Sequence, residues 1–193
     1  TNYSDAKRIS VTAPNSTSGI DFALEKGGSI AGRVTDEDAG LPLANFYVTA
    51  YSYDTGASSG SAFTDNDGNY LIQGLLNDDY RVRVYGQNSY IGEYYNNTTD
   101  YLSAARVPVT VPNTTSGIDF ALDKGGSITG HLTDASTGLP LANHSVQADN
   151  YDTGNFGGSA STDANGNYVI HGLPNGEYRA FAYTQNGYIG EYY

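Results

Sequence analysis

The chain has 193 residues and carries 21 acidic against nine basic residues, which gives a formal net charge of −12. This balance excludes nucleic acid as a partner, because phosphate binding needs clustered lysine and arginine. The chain contains no cysteine, so it has no disulfide framework, and no apolar run approaches the ~20 residues of a membrane-spanning helix. Aromatic residues make up 12% of the chain, which indicates a folded protein rather than a disordered one.

Local patterns along the chain predict short strands separated by turns. Residues 80–85 alternate apolar and charged side chains, as a strand with one buried face does. The cluster of Asp, Asn and Gly at 65–69 is typical of the tight turn of a hairpin. Between residues 1 and 124 we expect strands at residues 9–12, 20–24, 29–34, 46–53, 61–64, 70–73, 80–85, 107–111 and 118–122.

The chain repeats itself at an offset of 98 residues without a gap. Residues 1–95 align with residues 99–193, and 59 of these 95 pairs are identical. Solenoid units span only about 20–50 residues, so a repeat of this length is a domain that has been copied whole. The second copy predicts further strands at residues 127–132, 145–150, 168–171 and 178–183.

Strands this short, at turn-rich spacing, predict an all-β chain of antiparallel β-sandwich domains. Four motifs follow one another in order: Gly-Gly-Ser-Ile at 27–30, Gly-Leu-Pro-Leu-Ala-Asn at 40–45, Thr-Asp-Asn-Asp-Gly-Asn-Tyr at 64–70 and Ser-Gly-Ile-Asp-Phe-Ala-Leu at 116–122. In this order they resemble the carboxypeptidase regulatory-like domain family. The resemblance implies two tandem transthyretin-like (Ig-like) sandwiches, of the kind that recur in large secreted and cell-surface proteins of bacteria and archaea.

The resemblance also implies where the domains begin and end. Residues 27–124 form one complete domain, residues 1–26 supply the terminal strands of another sandwich, and residues 125–193 lack those same strands. A sandwich without its last strands exposes apolar core and an unpaired sheet edge, which favours strand addition.

Two interpretations of these domain boundaries stay open. In one, the missing strands lie elsewhere in a longer array. In the other, residues 1–26 of one subunit complete residues 125–193 of the next, which builds a head-to-tail filament.

The candidates for assembly are apolar residues of the first segment and two tyrosine pairs. The motif Tyr-Ile-Gly-Glu-Tyr-Tyr occurs in both copies, and tyrosine suits interfaces because it joins apolar area to a hydroxyl. The same rings suit stacking on sugars, which remains the alternative. The candidate residues are Ile9, Val11, Ile20, Phe22, Leu24, Tyr94, Tyr95, Tyr192 and Tyr193.

Signatures of catalysis are missing from the sequence. The three histidines, His131, His144 and His171, align with other residue types in the first copy, so we expect surface or strand positions for them. Motifs of nucleophilic hydrolases and zinc hydrolases do not occur. We therefore expect neither enzymatic activity nor a cofactor.

The acidic turn is a weak candidate for a calcium site. Asp65, Asp67 and Asn69 offer oxygen ligands at alternate positions, which calcium accepts. The spacing departs from the helix-loop-helix calcium pattern, and the second copy loses one carboxylate. A plain hairpin turn is the favoured interpretation.

Asn-x-Ser/Thr sequons mark candidate sites of N-glycosylation. Two of them, Asn15 and Asn113, occupy equivalent positions in the two copies. Turn-forming asparagine beside serine or threonine also explains such sequences, so covalent glycans are one of two interpretations. The candidates are Asn2, Asn15, Asn96, Asn97, Asn113 and Asn143.

These patterns together favour an extracellular or cell-surface structural protein that forms a fibre, filament or stalk with copies of itself as partners. The alternative is a cell-surface adhesin or a carbohydrate-binding accessory module. Saturable binding to a polysaccharide distinguishes the two, because a pure scaffold gives none.

Overall fold

The computed structural model describes Ser4 and residues 6–193, and this part of the chain is all-β. Its fifteen strands form two pairs of sheets, one pair within residues 28–122 and the other within residues 126–192. The fold class expected from the sequence, two tandem antiparallel β-sandwich domains, is confirmed. Within the described residues no helix has the length and apolar character to cross a membrane.

The first domain has nine strands in two layers. They are β1 (Gly28–Asp36), β2 (Tyr47–Ser52), β3 (Ser58–Phe63), β4 (Asn69–Leu75), β5 (Asp78–Val84), β6 (Glu93–Tyr94), β7 (Val107–Val109), β8 (Thr114–Thr115) and β9 (Phe120–Leu122). One sheet has the order β4-β1-β8, with β9 also on β1. The other has the order β3-β2-β5-β6, with β7 also on β5.

The core of the first domain follows from the alternation of side chains along the strands. In β2, for example, Val48 and Ala50 point inward. Sixteen buried hydrophobic residues of the described chain form one cluster between the two sheets. Five of them come from the last strands and the loop between them: Val107, Val109, Ile118, Phe120 and Leu122.

The last strands of the first domain close both sheets. β8 and β9 run parallel to β1, where Ser29 pairs with Thr114 and Val34 with Phe120. β7 runs antiparallel to the first residues of β5. The edge of β1 that β4 leaves open is therefore covered by β8 and β9, and β7 extends the facing sheet.

The second domain has six strands among the described residues. They are β10 (Gly126–His131), β11 (Ser145–Asn150), β12 (Phe156–Ser161), β13 (Asn167–Leu173), β14 (Tyr178–Ala182) and β15 (Glu191–Tyr192). One sheet holds only β10 and β13, and the other has the order β12-β11-β14-β15. Its core cluster contains four buried hydrophobic residues, Val146, Ala148, Ile170 and Leu173.

The structure differs from the predicted strands in two respects. The strands expected at 9–12 and 20–24 do not form: residues 6–26 are exposed and pair with no strand of either domain. Conversely, β6, β8, β12 and β15 were not predicted. β6, β8 and β15 are only two residues long and carry no periodicity, and the glycines of β12 weaken its pattern.

Candidate functional site

The open edge of β10 is the feature that most clearly distinguishes the second domain from the first. β1 has partners on both edges, whereas β10 pairs only with β13 within the described residues. β10 ends at His131. Its equivalent β1 continues for three more residues, which are those that pair with β9. The second domain thus presents unbonded backbone along one side of its smaller sheet.

Side chains around this edge also lack the partners that their equivalents have. Tyr70 donates a hydrogen bond of 2.5 Å to the carbonyl oxygen of Ile118, and the hydroxyls of Ser29 and Thr114 lie 2.6 Å apart. The equivalent hydroxyls of Tyr168 and Ser127 have no partner in the described part of the chain. The open edge therefore leaves these two hydroxyl groups without the hydrogen bonds that their equivalents form.

Gly32 of β1 shows how closely the covering backbone approaches the equivalent edge in the first domain. A Cβ atom on Gly32 would collide with the carbonyl oxygen of Ile118, so only glycine fits beneath the covering backbone. A Cβ atom on the equivalent Gly130 would instead collide with the ring of Tyr168. The tyrosine occupies the space that backbone fills in the first domain.

Residues 6–26 carry the sequence of the missing strands in an exposed, unpaired form. Phe22 is 83% exposed, whereas its equivalent Phe120 is 2% exposed. Leu24 is 91% exposed, against 1% for Leu122. The same reversal holds for the three other apolar residues of the segment, Ile9, Val11 and Ile20.

The segment already has the local turn that its equivalent adopts in the first domain. The amide of Asn15 donates to the carbonyl of Thr12 at 2.8 Å, as the amide of Asn113 does to the carbonyl of Thr110. The hydroxyl of Thr17 donates to the carbonyl of Ser10 at 2.8 Å, which matches a bond of 2.6 Å from Thr115 to Pro108. The segment is therefore partly organised for pairing before it meets an edge.

A charged cluster lies where the first domain meets the second. The Asp36 carboxylate accepts a hydrogen bond of 2.6 Å from the Tyr90 hydroxyl and lies 2.9 Å from the Lys124 ammonium. Hydrogen bonds from Tyr90 and Lys124 hold the pKa of the Asp36 carboxyl well below its usual range. The next residues join the domains, since the amide of Gly125 donates to the carbonyl of Ser89 at 2.8 Å.

The second domain contains the same cluster without its lysine. Tyr188 donates to the Asp134 carboxylate at 2.9 Å. Hydrogen bonds from Ser136, Thr137 and Tyr188 lower the pKa of Asp134, so it carries a negative charge at neutral pH. No ammonium or guanidinium group of the described residues forms an ion pair with it.

The structure corrects the expected position of one tyrosine pair. Tyr94 is buried in the first domain, where it lies edge-on to Tyr101 and within 5.1 Å of the Arg83 guanidinium. Tyr95 packs edge-on against Phe120 of the core. Both rings therefore pack inside their own domain instead of facing a neighbour, because β6 pairs with β5 and the loop to β7 covers it.

The tyrosines at the end of the second copy are exposed. Tyr192 contacts the ring of Phe181, and Tyr193 has no ring contact with any described residue. Their equivalents Tyr94 and Tyr95 are covered by residues that follow them in the first domain. Exposure of Tyr192 and Tyr193 is thus a consequence of the same incomplete packing.

The acidic turn forms a hairpin in both copies. The Asp65 carboxylate accepts hydrogen bonds from the amides of Asp67 and Asn69, at 3.0 and 2.8 Å. Asp163 does the same for the amides of Asn165 and Asn167. The carboxylate is engaged by the turn itself, and no cluster of three metal-ligating side chains occurs in the described residues.

The described sequon asparagines all lie at the surface. Asn15, Asn96, Asn97, Asn113 and Asn143 are exposed, while Asn2 lies outside the described residues. Asn96, Asn97 and Asn143 have positive φ angles, which asparagine tolerates in turns. Both interpretations of the sequons therefore remain compatible with the geometry.

His144 lies directly before β11 and is buried, whereas surface or strand positions were expected for the histidines. It is 4% exposed and occupies the core position of Phe46. Its ring lies edge-on to Tyr188, as Phe46 lies edge-on to Tyr90. Alignment of the two copies contained this signal, because Phe46 sits at the start of a predicted strand.

A family comparison covers most of the chain. The model of the carboxypeptidase regulatory-like domain matches residues 29–123 and 127–190. The chain belongs to this family. No curated protein matched the sequence significantly.

Several solved structures resemble these two carboxypeptidase regulatory-like domains. A streptococcal ancillary pilin is 14% identical with a TM-score of 0.43, over 86% of this chain and 58% of the pilin. The Bacillus anthracis TIE protein is 19% identical with a TM-score of 0.40, over 86% of this chain and 31% of that one. The shaft pilin SpaA from Lactobacillus rhamnosus GG is 12% identical with a TM-score of 0.33, over 88% and 93% of the two chains.

The chain spans less than two thirds of the streptococcal and Bacillus proteins. At these identities and TM-scores the likeness is no basis for assigning a function to the two carboxypeptidase regulatory-like domains.

A cleft of about 980 Å³ lies between the two carboxypeptidase regulatory-like domains. Tyr85 and Tyr101 line it from the first domain, and Phe156 and Tyr178 from the second. Polar residues, among them His171, also line it. No pattern in the sequence indicated this cleft, because residues far apart in the chain form it.

Proposed function

We propose that the chain is a structural subunit of an extracellular fibre, in which residues 9–24 of one copy complete residues 125–193 of the next. The observation that carries this proposal is that the apolar residues of 9–24 are exposed, whereas their equivalents in 107–122 are buried. The chain contains an exposed copy of the strands that cover β1, and it contains an uncovered copy of β1.

Insertion of the segment is energetically favourable for a simple reason. Five exposed apolar side chains would become buried, and full burial of such a side chain contributes about 1.5–3 kcal/mol. The unpaired backbone of β10 would gain hydrogen bonds at the same time. The turn that already forms at residues 10–17 reduces the entropy lost on ordering the segment.

The acceptor must belong to another copy of the chain. Leu122 pairs with Asp36, so an inserted Leu24 would lie beside Asp134, three residues beyond the far end of β10. Only three residues separate Leu24 from Gly28, a reach of roughly 14 Å. The nine residues of β1 alone span roughly 30 Å, and the second domain joins the first at the end of β1 remote from Gly28. A chain therefore cannot complete its own second domain.

A contact of this kind leads to a filament. The donor segment and the acceptor edge are different surfaces, so each added copy presents a new acceptor. The role is structural and non-catalytic, and a surface location is part of the proposal, because exposed sequons suit an exported and glycosylated chain.

Electron microscopy of the purified chain tests the proposal. We expect filaments with an axial repeat of two domains, and none from a chain that lacks residues 1–26. A matched control keeps all residues but replaces Ile20, Phe22 and Leu24 with serine, and it should also stay monomeric. Filaments from either variant would contradict the proposal. Monomers from the unaltered chain would favour the interpretation that residues 1–193 are part of a longer array.

The interdomain cleft favours a second candidate, a carbohydrate-binding module. Tyr101 and Phe156 are exposed in it, and aromatic faces beside polar groups suit sugar rings. Binding to a polysaccharide array tests this role, since Tyr101→Ala should abolish saturable binding if the cleft is the site. Absence of binding by the unaltered chain would contradict it.

A further inference from the structure

The junction between the two domains has an incomplete equivalent at the far end of the chain. In the complete junction, Asp36 is held by the Tyr90 hydroxyl and by the Lys124 ammonium. At the far end, Asp134 and Tyr188 adopt the same arrangement, with their oxygens 2.9 Å apart. The cation that would complete this second cluster is missing from the second domain.

The second domain cannot supply that cation from its own sequence. Residues 125–193 contain no lysine and one arginine, Arg179. That guanidinium lies 4.1 Å from the centre of the Tyr151 ring and donates to the Tyr151 carbonyl, so it is engaged elsewhere. The residue equivalent to Lys124 at the offset of 98 is Lys26, which is exposed at the end of the donor segment.

We propose that Lys26 of one copy forms an ion pair with Asp134 of the next copy, with Tyr188 orienting the carboxylate. The inference rests on the proposed function, since it requires residues 9–24 to occupy the acceptor edge. The pair fixes the position at which the inserted segment stops and connects it directly to β1 of its own subunit.

The spacing within the segment supports this assignment. Lys124 follows the buried Leu122 by two residues, and Lys26 follows Leu24 by two residues. A slip of two residues keeps Phe22 and Leu24 on the buried face, so apolar burial alone does not select one register. Such a slip moves the ammonium by about 7 Å along the strand, out of reach of Asp134. The ion pair therefore favours one register over another in which the apolar side chains are buried equally well.

Substitutions of Lys26 test the proposal without touching the fold of either domain, because the residue lies in the exposed segment. We expect Lys26→Gln to raise the critical concentration for assembly about tenfold and to weaken its dependence on salt. Lys26→Arg should retain most of the affinity. Lys7→Gln serves as the matched control, since it removes the same charge from the same segment at an exposed position, and it should assemble like the unaltered chain.

An unchanged critical concentration for Lys26→Gln would overturn the ion pair while leaving the fibre intact. Failure of the unaltered chain to assemble would instead contradict the proposed function. The two failures are therefore distinguishable in one titration.

A charge exchange gives a second, independent test. Lys26→Glu and Asp134→Lys should each assemble poorly alone, because each brings like charges together at every junction. An equimolar mixture should recover assembly, since strict alternation pairs the introduced glutamate with the introduced lysine at one junction and the original residues at the next. If the Asp134→Lys chain has an unaltered melting curve and the mixture still does not assemble, the result would contradict the ion pair. If the Asp134→Lys chain does not fold, the Lys26→Gln titration decides.

Discussion

Phenylalanine occupies opposite environments at two equivalent positions of this chain. Phe120 is enclosed between β1 and the aromatic rings of Tyr70 and Tyr95, while Phe22 faces solvent. A large apolar side chain held in water is unfavourable, and its neighbours in the segment are exposed in the same way. At the scale of single residues, Phe22 should therefore contribute to assembly what Phe120 contributes to folding.

Truncation of the two residues should separate these contributions. Phe22→Ala should weaken assembly by about 3–5 kcal/mol, the range for removing a buried aromatic ring, and leave the melting temperature of the monomer unchanged. Phe120→Ala should lower the free energy of unfolding of the first domain by a similar amount. Sedimentation and thermal unfolding measure the two effects. Assembly of Phe22→Ala at the same concentration as the unaltered chain would contradict the account.

A buried carboxyl group gives the first domain a pH dependence of its own. Burial raises the pKa of Glu93 to about 7, and the negative charges of Asp123 and Glu37 add to this shift. Because the pKa is higher in the folded state, stability from this group is complete below about pH 4.5 and is lost as the pH rises through about 7. The carboxyls of Asp36 and Asp134 have lowered pKa values in the folded state. They therefore contribute stability that is lost only as the pH falls through the acidic range.

Replacement of Glu93 by glutamine should remove this loss. We expect Glu93→Gln to be more stable than the unaltered chain by about 2 kcal/mol at pH 8 and equal to it near pH 4. Urea unfolding at the two pH values measures the difference. The matched control is Glu191→Gln, at the exposed equivalent position, which should change neither value. Parallel pH profiles for the unaltered chain and Glu93→Gln would contradict the shift.

At the scale of strands, the decisive contrast is between β1 and β10. Both begin with Gly-Ser-Ile and pair with the strand after the acidic turn, in the same register. Of the two strands, only β1 has its second edge covered. There the amide of Ser29 donates to the carbonyl of Asn113, and the amide of Glu37 donates to the carbonyl of Leu122. The equivalent amides, of Ser127 and Ala135, should therefore exchange rapidly with solvent in a monomer.

Addition of a peptide of residues 6–26 to a chain that lacks residues 1–26 should slow this exchange. The amides of Ser127 and Ala135 should become protected, while those of β1 stay as they were. Hydrogen exchange measured by NMR resolves the individual amides. A control peptide with serine at Phe22 and Leu24 should give no protection. Equal exchange with and without the first peptide would contradict strand addition.

The predictable part of this fold was the part that local pattern controls. Alternation located most strands of both sheets, and the acidic turn was a hairpin because Asp65 bonds to the amides that follow it. The unpredictable part depended on contacts distant in sequence. Burial of Tyr94 depends on Arg83 and Tyr101, and the strands expected at 9–12 and 20–24 require an edge that the chain does not offer them.

At the scale of the whole molecule, the proposed function makes the chain a donor segment, a complete sandwich and an acceptor in sequence. In that proposal, the contact between copies would have the same geometry as the internal junction, where the Ser89–Tyr90 loop meets Gly125 and Gly172. Every junction along the fibre would then be equivalent, whether it lies within a subunit or between two. Load would pass through backbone hydrogen bonds and buried side chains from one sandwich to the next.

A disulfide between copies tests the central claim most directly, because the chain has no cysteine of its own. The hydroxyls of Ser29 and Thr114 lie 2.6 Å apart across β1 and β8, and their equivalents are Ser127 and Ser16. Under oxidation, Ser29→Cys with Thr114→Cys should cross-link within one chain. Ser16→Cys with Ser127→Cys should give a ladder of covalent multimers on a denaturing gel, whereas either substitution alone should give dimers at most. Monomers alone from the Ser16→Cys and Ser127→Cys pair, under conditions where the control pair cross-links, would contradict the completion of one copy by another.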